Sequence, residues 1–192
     1  MEQLYHSGTG ERLYLNAEER QRFLLTAASF ENDLQYYALM IYYTGCRLSE
    51  ALNLQLEHID FDNESVIIRS LKKRGKIHYR HIPLPEAYLK GLASAYNLRK
   101  LKKNKDNNSK RLWSFTDRTA RRYIKTIMDK AELTGKKACA KGLRHAFGIA
   151  CVENNIPLTE IQQLMGHSFL RNTAIYTTVQ GAERRNLVSR LW

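Results

Sequence analysis

Between Lys141 and Tyr176 the chain reads KGLRHAFGIACVENNIPLTEIQQLMGHSFLRNTAIY, which brings a cation pair, imidazoles and a phenol into one short, mainly helical segment. Lys141 and Arg144 are three residues apart and share a helix face. His145, one step further round, is expected to point elsewhere. Gly166-His167 follows the apolar spacing of Leu158, Ile161, Leu164 and Met165, which buries one side of a helix, and glycine there predicts the stop. His167 is therefore expected at a helix end. Nine residues on, Tyr176 lies in a run of small or apolar neighbours, Ala174, Ile175, Thr177 and Thr178. Such a phenol is either a packed side chain or a nucleophile.

The elements that must hold these groups are legible upstream. Asn16-Ala17-Glu18-Glu19 predicts a capping box opening a helix through about Ser29, with Phe23, Leu24 and Ala27 buried. A second helix over about Asp33 to Tyr43 turns Leu34, Tyr37, Ala38 and Ile41 to one face and is broken by glycine in Thr44-Gly45-Cys46-Arg47. Helical spacing resumes from Leu48 to Leu54, so Arg47 sits at a rigid junction. An arginine there is a structural fork unless other cations converge with it. Ile59 to Phe61, a turn at Asp62-Asn63-Glu64, Ser65 to Ser70 and Ile77 to Ile82 predict a small antiparallel sheet. Its last strands flank the basic loop Leu71-Lys72-Lys73-Arg74-Gly75-Lys76. Glu86 to Asn97 and Asp117 to Glu132 predict helices, the second with Arg118, Arg121, Arg122 and Lys125 exposed. Between them Arg99 to Arg111 is polar and basic and is expected to be a mobile loop. Residues 181 to 192 form a tail with amphipathic spacing, Leu187, Val188, Leu191 and Trp192.

Composition bounds the partners. Net charge is +12 at pH 7, but residues 1–68 carry four Lys/Arg against eleven Asp/Glu, whereas residues 69–192 carry twenty-seven against eight. A positive field concentrated in this way suits a polyanion, and nucleic acid before others. The 192 residues suffice for one domain with a sizeable core. Cys46, Cys139 and Cys151 show neither metal spacing nor an even disulfide framework, so a reducing, cytoplasmic setting is expected. No secretory pattern, membrane-length apolar run or nucleotide-binding glycine motif is present, and neither membrane, metal nor cofactor is expected.

Four motifs, taken together, carry a resemblance. Thr44-Gly45-Cys46-Arg47-Leu48-Ser49-Glu50, Lys141-Gly142-Leu143-Arg144-His145, Leu164-Met165-Gly166-His167 and Tyr176 resemble, in order and interval, the tyrosine site-specific recombinase (phage integrase) family over residues 17–192. The resemblance implies an α+β fold, mainly helical with a small antiparallel sheet. It implies Arg47 and Arg144 as arginines gripping a scissile phosphate, His167 as a third donor and Tyr176 as the nucleophile. The family's hairpin lysine falls on Lys73 or Lys72, with Lys73 preferred. Lys141 stands where the family commonly has histidine, so a general base at that position is in question. Members often carry a further N-terminal helical domain. Residues 1–192 are expected to be a single catalytic domain without it.

The implied chemistry is consistent with the residue types. In-line attack on a phosphodiester builds charge on the non-bridging oxygens, which forked guanidinium groups match better than ammonium groups do. A tyrosine with pKa near about 10 must lose its proton, and surrounding cations favour the phenolate. A lysine ammonium can protonate the leaving 5′ oxygen. The resemblance implies a 3′-phosphotyrosyl intermediate on double-stranded DNA with no ATP or metal. It also implies a homotetramer on DNA assembled from monomers, with the tail exchanged between protomers and accessory proteins as optional partners. Two rivals share some of these features: a type IB topoisomerase that relaxes DNA, and a DNA-binding accessory factor with weak catalysis.

Overall fold

A computed structural model describes residues 3–70, 78–179 and 182–189. The first helix, α1 (Ala17–Ala28), starts at the predicted capping box. Asn16 Oδ1 accepts from the Glu19 amide at 2.8 Å and Glu19 Oε2 accepts from the Asn16 amide at 2.9 Å, satisfying two otherwise orphaned donors. Next come α2 (Asn32–Thr44) and the short α3 (Leu48–Leu52). Strands β1 (Ile59–Asp60), β2 (Ser65–Ser70) and β3 (His78–Pro83) form a three-stranded antiparallel sheet in the order β1-β2-β3. The chain continues through α4 (Glu86–Ala95), α5 (Leu98–Lys102), α6 (Asp117–Lys130), α7 (Ala140–Glu153), α8 (Leu158–Met165), α9 (Arg171–Ala174) and a 3-10 turn at Ile175–Thr177. It reaches α10 (Ala182–Val188), which lies against α7.

Helix α7 joins two apolar clusters. Its Leu143 and Ala146 belong to the larger one, built from α1, α2, the sheet, α4 and α6. Its Ile149 and Cys151 belong to a smaller one with Leu4, Tyr14, Ile161, Met165, Tyr176 and Val179. The larger cluster fixes α3 from below. Tyr37 donates its hydroxyl to the Leu48 carbonyl at 2.8 Å, and the Trp113 indole donates to Ala51 O at 2.8 Å. Both aromatics are wholly buried, so their polar tips need these partners.

The stretch Arg99–Arg111 departs from expectation. It is held in place, as α5 followed by a 3-10 turn at Lys105–Asn107. Leu98 is buried and anchors it, Leu56 and Glu57 donate amides to Lys110 O and Asn108 O at 3.0 Å each, and Arg99 lies over the Phe61 ring. Composition pointed to a loop because some of the tethers are backbone atoms, which carry no sequence signal, and the side-chain ones, Arg99 on Phe61 and Lys102 on Ile59 O, join partners distant in sequence. Lys72 and Lys73 lie outside the described residues, as do Leu191, Trp192 and the side chain of Leu187.

Candidate active site

The site forms where three helix ends meet. Helix α2 ends at Gly45 in the left-handed conformation, φ 58°, where a Cβ would come within 2.4 Å of the Phe147 ring. The chain then turns into Arg47, the residue before α3. Glu50, on the first turn of α3, accepts from the Arg47 amide at 2.9 Å and from its guanidinium at 3.0 Å. The Arg47 side chain stays 43% exposed. Among the described residues, its guanidinium nitrogens other than Nη1 have no hydrogen-bond partner and face outward to a ligand.

Arg144 projects from α7 and is buried. One nitrogen of its fork donates to Gly45 O at 2.6 Å and another to Met165 O at 2.7 Å. It thus ties the end of α2 to the end of α8, where terminal carbonyls lack helical partners and a cation is favoured. Helix α8 stops at Gly166, φ 62°, and the next residue is His167, at the helix end as expected. The buried His167 ring sits with Nδ1 3.0 Å from Thr173 Oγ1 on α9. Burial, then the charges of Arg144, Arg47, His145 and Arg80, hold its pKa down to about 3. This imidazole is neutral at pH 7 and lies within the field of all three arginines.

Tyr176 lies on the 3-10 turn and has no exposed surface. Its ring stacks on that of His167, centroids 6.2 Å apart and planes 17° from parallel. On its other side it packs against the α7 backbone at Gly148, where a Cβ would come 2.6 Å from the phenol carbons. His145 points away from the face of Arg144, as expected, and its partner is the phenol. It is buried, with Nδ1 3.3 Å from the Tyr176 hydroxyl and Nε2 without a hydrogen-bond partner among the described residues. One helical step from Arg144 turns it toward the smaller apolar cluster, and that is where the phenol is housed. Burial, then the charges of Lys141 and Arg144, lower its pKa to about 4. Lys141 itself is exposed on the first turn of α7.

Two ionic residues escaped the sequence reading. Glu50 lies inside a quoted motif but was given no role, and its spacing from Arg47 matches a capping pair. Arg80 is buried on β3 and donates to Glu50 Oε2 at 2.6 Å and to Leu164 O at 2.8 Å. Strand alternation with the buried Ile82 was the available signal. Among the described residues no group of three or more His, Cys, Asp or Glu side chains converges as metal ligands would.

This geometry coincides with a match to the sequence pattern of the phage integrase family over residues 13–183, and the chain belongs to that family. Its fold is that of tyrosine recombinase catalytic domains. Among curated proteins it is similar to tyrosine recombinase XerA of Pyrococcus furiosus, 33% identical over 170 residues that cover 80% of this chain and 54% of the relative. Among solved structures it is similar to the XerA recombinase crystal structure, with TM-score 0.75, 27% identity and coverage of 93% of this chain and 64% of the other. The post-cleavage complex of XerH site-specific recombinase bound to its palindromic difH substrate has the same fold. Its TM-score is 0.74 at 23% identity, covering 99% of this chain and 56% of that one. The chain spans about half the length of the curated relatives it matches. No helix among the described residues is long and apolar enough to cross a membrane.

Proposed function

We propose that this chain is the catalytic portion of a site-specific DNA recombinase or integrase that cuts and rejoins double-stranded DNA through a 3′-phosphotyrosyl intermediate. The observation that carries the reading is the convergence at His167. Arg144 donates to Met165 O, two residues before His167, and the His167 ring stacks on Tyr176. Family membership and the DNA-bound state of XerH support DNA as the substrate.

In this reading Arg47 and Arg144 grip the non-bridging oxygens of the scissile phosphate, and neutral His167 donates a further hydrogen bond. The Tyr176 oxygen attacks phosphorus and gives up its proton to solvent water. The bond from phosphorus to the 5′ oxygen breaks, and that oxygen takes a proton from the hairpin lysine, Lys73 or Lys72. Attack by a 5′-hydroxyl on the phosphotyrosine reverses each bond change and reseals the strand. Lys141 serves as a cationic donor, since an ammonium has no lone pair with which to accept a proton. Because Tyr176 is wholly buried, attack requires the 3-10 turn to leave its pocket, a change that DNA and neighbouring protomers would drive by favouring the open form. The reading extends to a homotetramer on DNA formed from monomers, with residues 181–192 exchanged between protomers, acting in the cytoplasm with or without accessory proteins.

The test is a randomised library of duplexes nicked so that cleavage beside the nick releases a short fragment and traps the enzyme. A detergent-stable protein–DNA adduct is expected, and joined products from two duplexes distinguish recombination from simple relaxation. Binding without any adduct would overturn the reading in favour of a DNA-binding accessory factor.

A further inference from the structure

We propose that Arg80 is a positioning residue for strand cleavage, holding Arg47 in place and keeping its charge available through the shared carboxylate of Glu50. The inference rests on the recombinase reading above. Glu50 is nearly sealed, its side chain 1% exposed, and it accepts from two arginines. Oε2 takes the Arg80 fork at 2.6 Å and the Arg47 amide at 2.9 Å, while Oε1 takes the Arg47 guanidinium at 3.0 Å and the second Arg80 nitrogen at 3.4 Å.

The charge balance follows from these contacts. With Arg47 alone, the buried carboxylate would neutralise the one guanidinium that faces a ligand. With Arg80 present the trio carries a net positive charge, and the exposed member, Arg47, presents it. Burial pushes the Glu50 carboxyl up, but the Arg80 hydrogen bond, the Arg80 charge and the Arg47 contacts bring it below the usual carboxylate range. Glu50 therefore stays ionised, with both oxygens engaged, as a brace for Arg47.

Arg80 also reaches the other half of the site. Its Nε donates to Leu164 O at 2.8 Å, and a Cβ at Gly166 would lie 3.0 Å from its fork. One guanidinium thus spans β3, the start of α3 and the turn that carries His167. It lines a groove of about 670 Å³ between β3 and α8, together with His81 and His167. A buried ion pair is by itself weak evidence for stability. A device that sets the charge and direction of Arg47 makes a different prediction from a strut.

The experiment compares wild type, Arg80→Met, Arg80→Lys and the double variant Arg80→Met/Glu50→Gln. It measures DNA affinity, single-turnover adduct formation on the nicked duplexes from about pH 5.5 to 8.5, and the 13C-carboxyl titration of Glu50. For Arg80→Met we expect the adduct rate to fall by about tenfold or more near pH 8 with affinity within about threefold, because the lost interaction acts on the transition state. The Glu50 titration should move up, and the deficit relative to wild type should shrink on acidification as Glu50 protonates and releases Arg47. The double variant should recover rate and lose that pH dependence. Arg80→Lys, which keeps charge but not the fork, should be intermediate, and it carries the test if the methionine variant does not fold. Wild-type adduct formation with an unchanged Arg80→Met rate overturns the inference alone, as does a loss that is pH-independent and equal in the double variant. Absence of any wild-type adduct overturns the recombinase reading and the inference with it.

Discussion

The Tyr176 hydroxyl lies 3.3 Å from Nδ1 of His145, and both side chains are sealed from solvent. The proposed nucleophile is thus stored against α7, with Gly148 making room for its ring. Enlarging that site tests how tightly storage is specified. Gly148→Ala should expel the phenol or cost about 1–3 kcal/mol by overpacking. Peptide-level nitration and urea denaturation report the two outcomes, and a variant with wild-type stability and an unreactive Tyr176 would contradict the packing described.

The two site arginines should differ in kind. Arg144 fills two buried carbonyls, so Arg144→Ala should lower stability by about 3 kcal/mol as well as abolish cleavage. Arg47 is nearly half exposed, and Arg47→Ala should abolish cleavage with a much smaller change in unfolding midpoint. Equal stability losses would mean that Arg47 is structural too.

Much of this arrangement was legible in sequence, and the misses share one cause. Arg47, Arg144, His167 and Tyr176 were singled out as candidates by the resemblance of their motifs to the recombinase family, while local signals alone gave only the glycine-broken junction at Arg47, the helical face of Arg144 and the helix stop before His167. The capping box at Asn16 and the strand pairings were legible because their signals are local. The role of Arg80 and the partner of His145 depend on packing against elements far away in sequence, Glu50 for one and Tyr176 for the other. The ordering of Arg99–Arg111 rests on backbone bonds to Leu56 and Glu57, which side-chain identity does not encode, and on contacts of Arg99 and Lys102 with Phe61 and Ile59 far away in sequence.

Stability should fall with acid in a window set by the two site histidines. Both are buried, and their pKa values drop from the ordinary 6.5 to about 4 for His145 and about 3 for His167. The unfolded chain therefore binds these protons more tightly, so their contribution is whole above about pH 6.5 and is lost progressively as pH falls toward about 4 for His145 and about 3 for His167. The loss is on the order of 3 kcal/mol for His145 alone. Urea midpoints from about pH 8 to 4 check this, and His145→Gln should flatten the curve.

Lys141 is exposed, and its charge acts on His145. As a cationic donor it should be replaceable by histidine with retained adduct formation and an altered pH dependence, whereas Lys141→Ala should be impaired. An alanine variant of full activity would make it a surface lysine without a part in cleavage.

The central claim is that Tyr176 forms the covalent bond to DNA. Adduct trapped on the nicked duplexes, digested and sequenced by mass spectrometry, should carry the nucleotide on the peptide containing Tyr176, and Tyr176→Phe should bind the same DNA while yielding no adduct. A nucleotide on any other residue, or adduct from the phenylalanine variant, would contradict it.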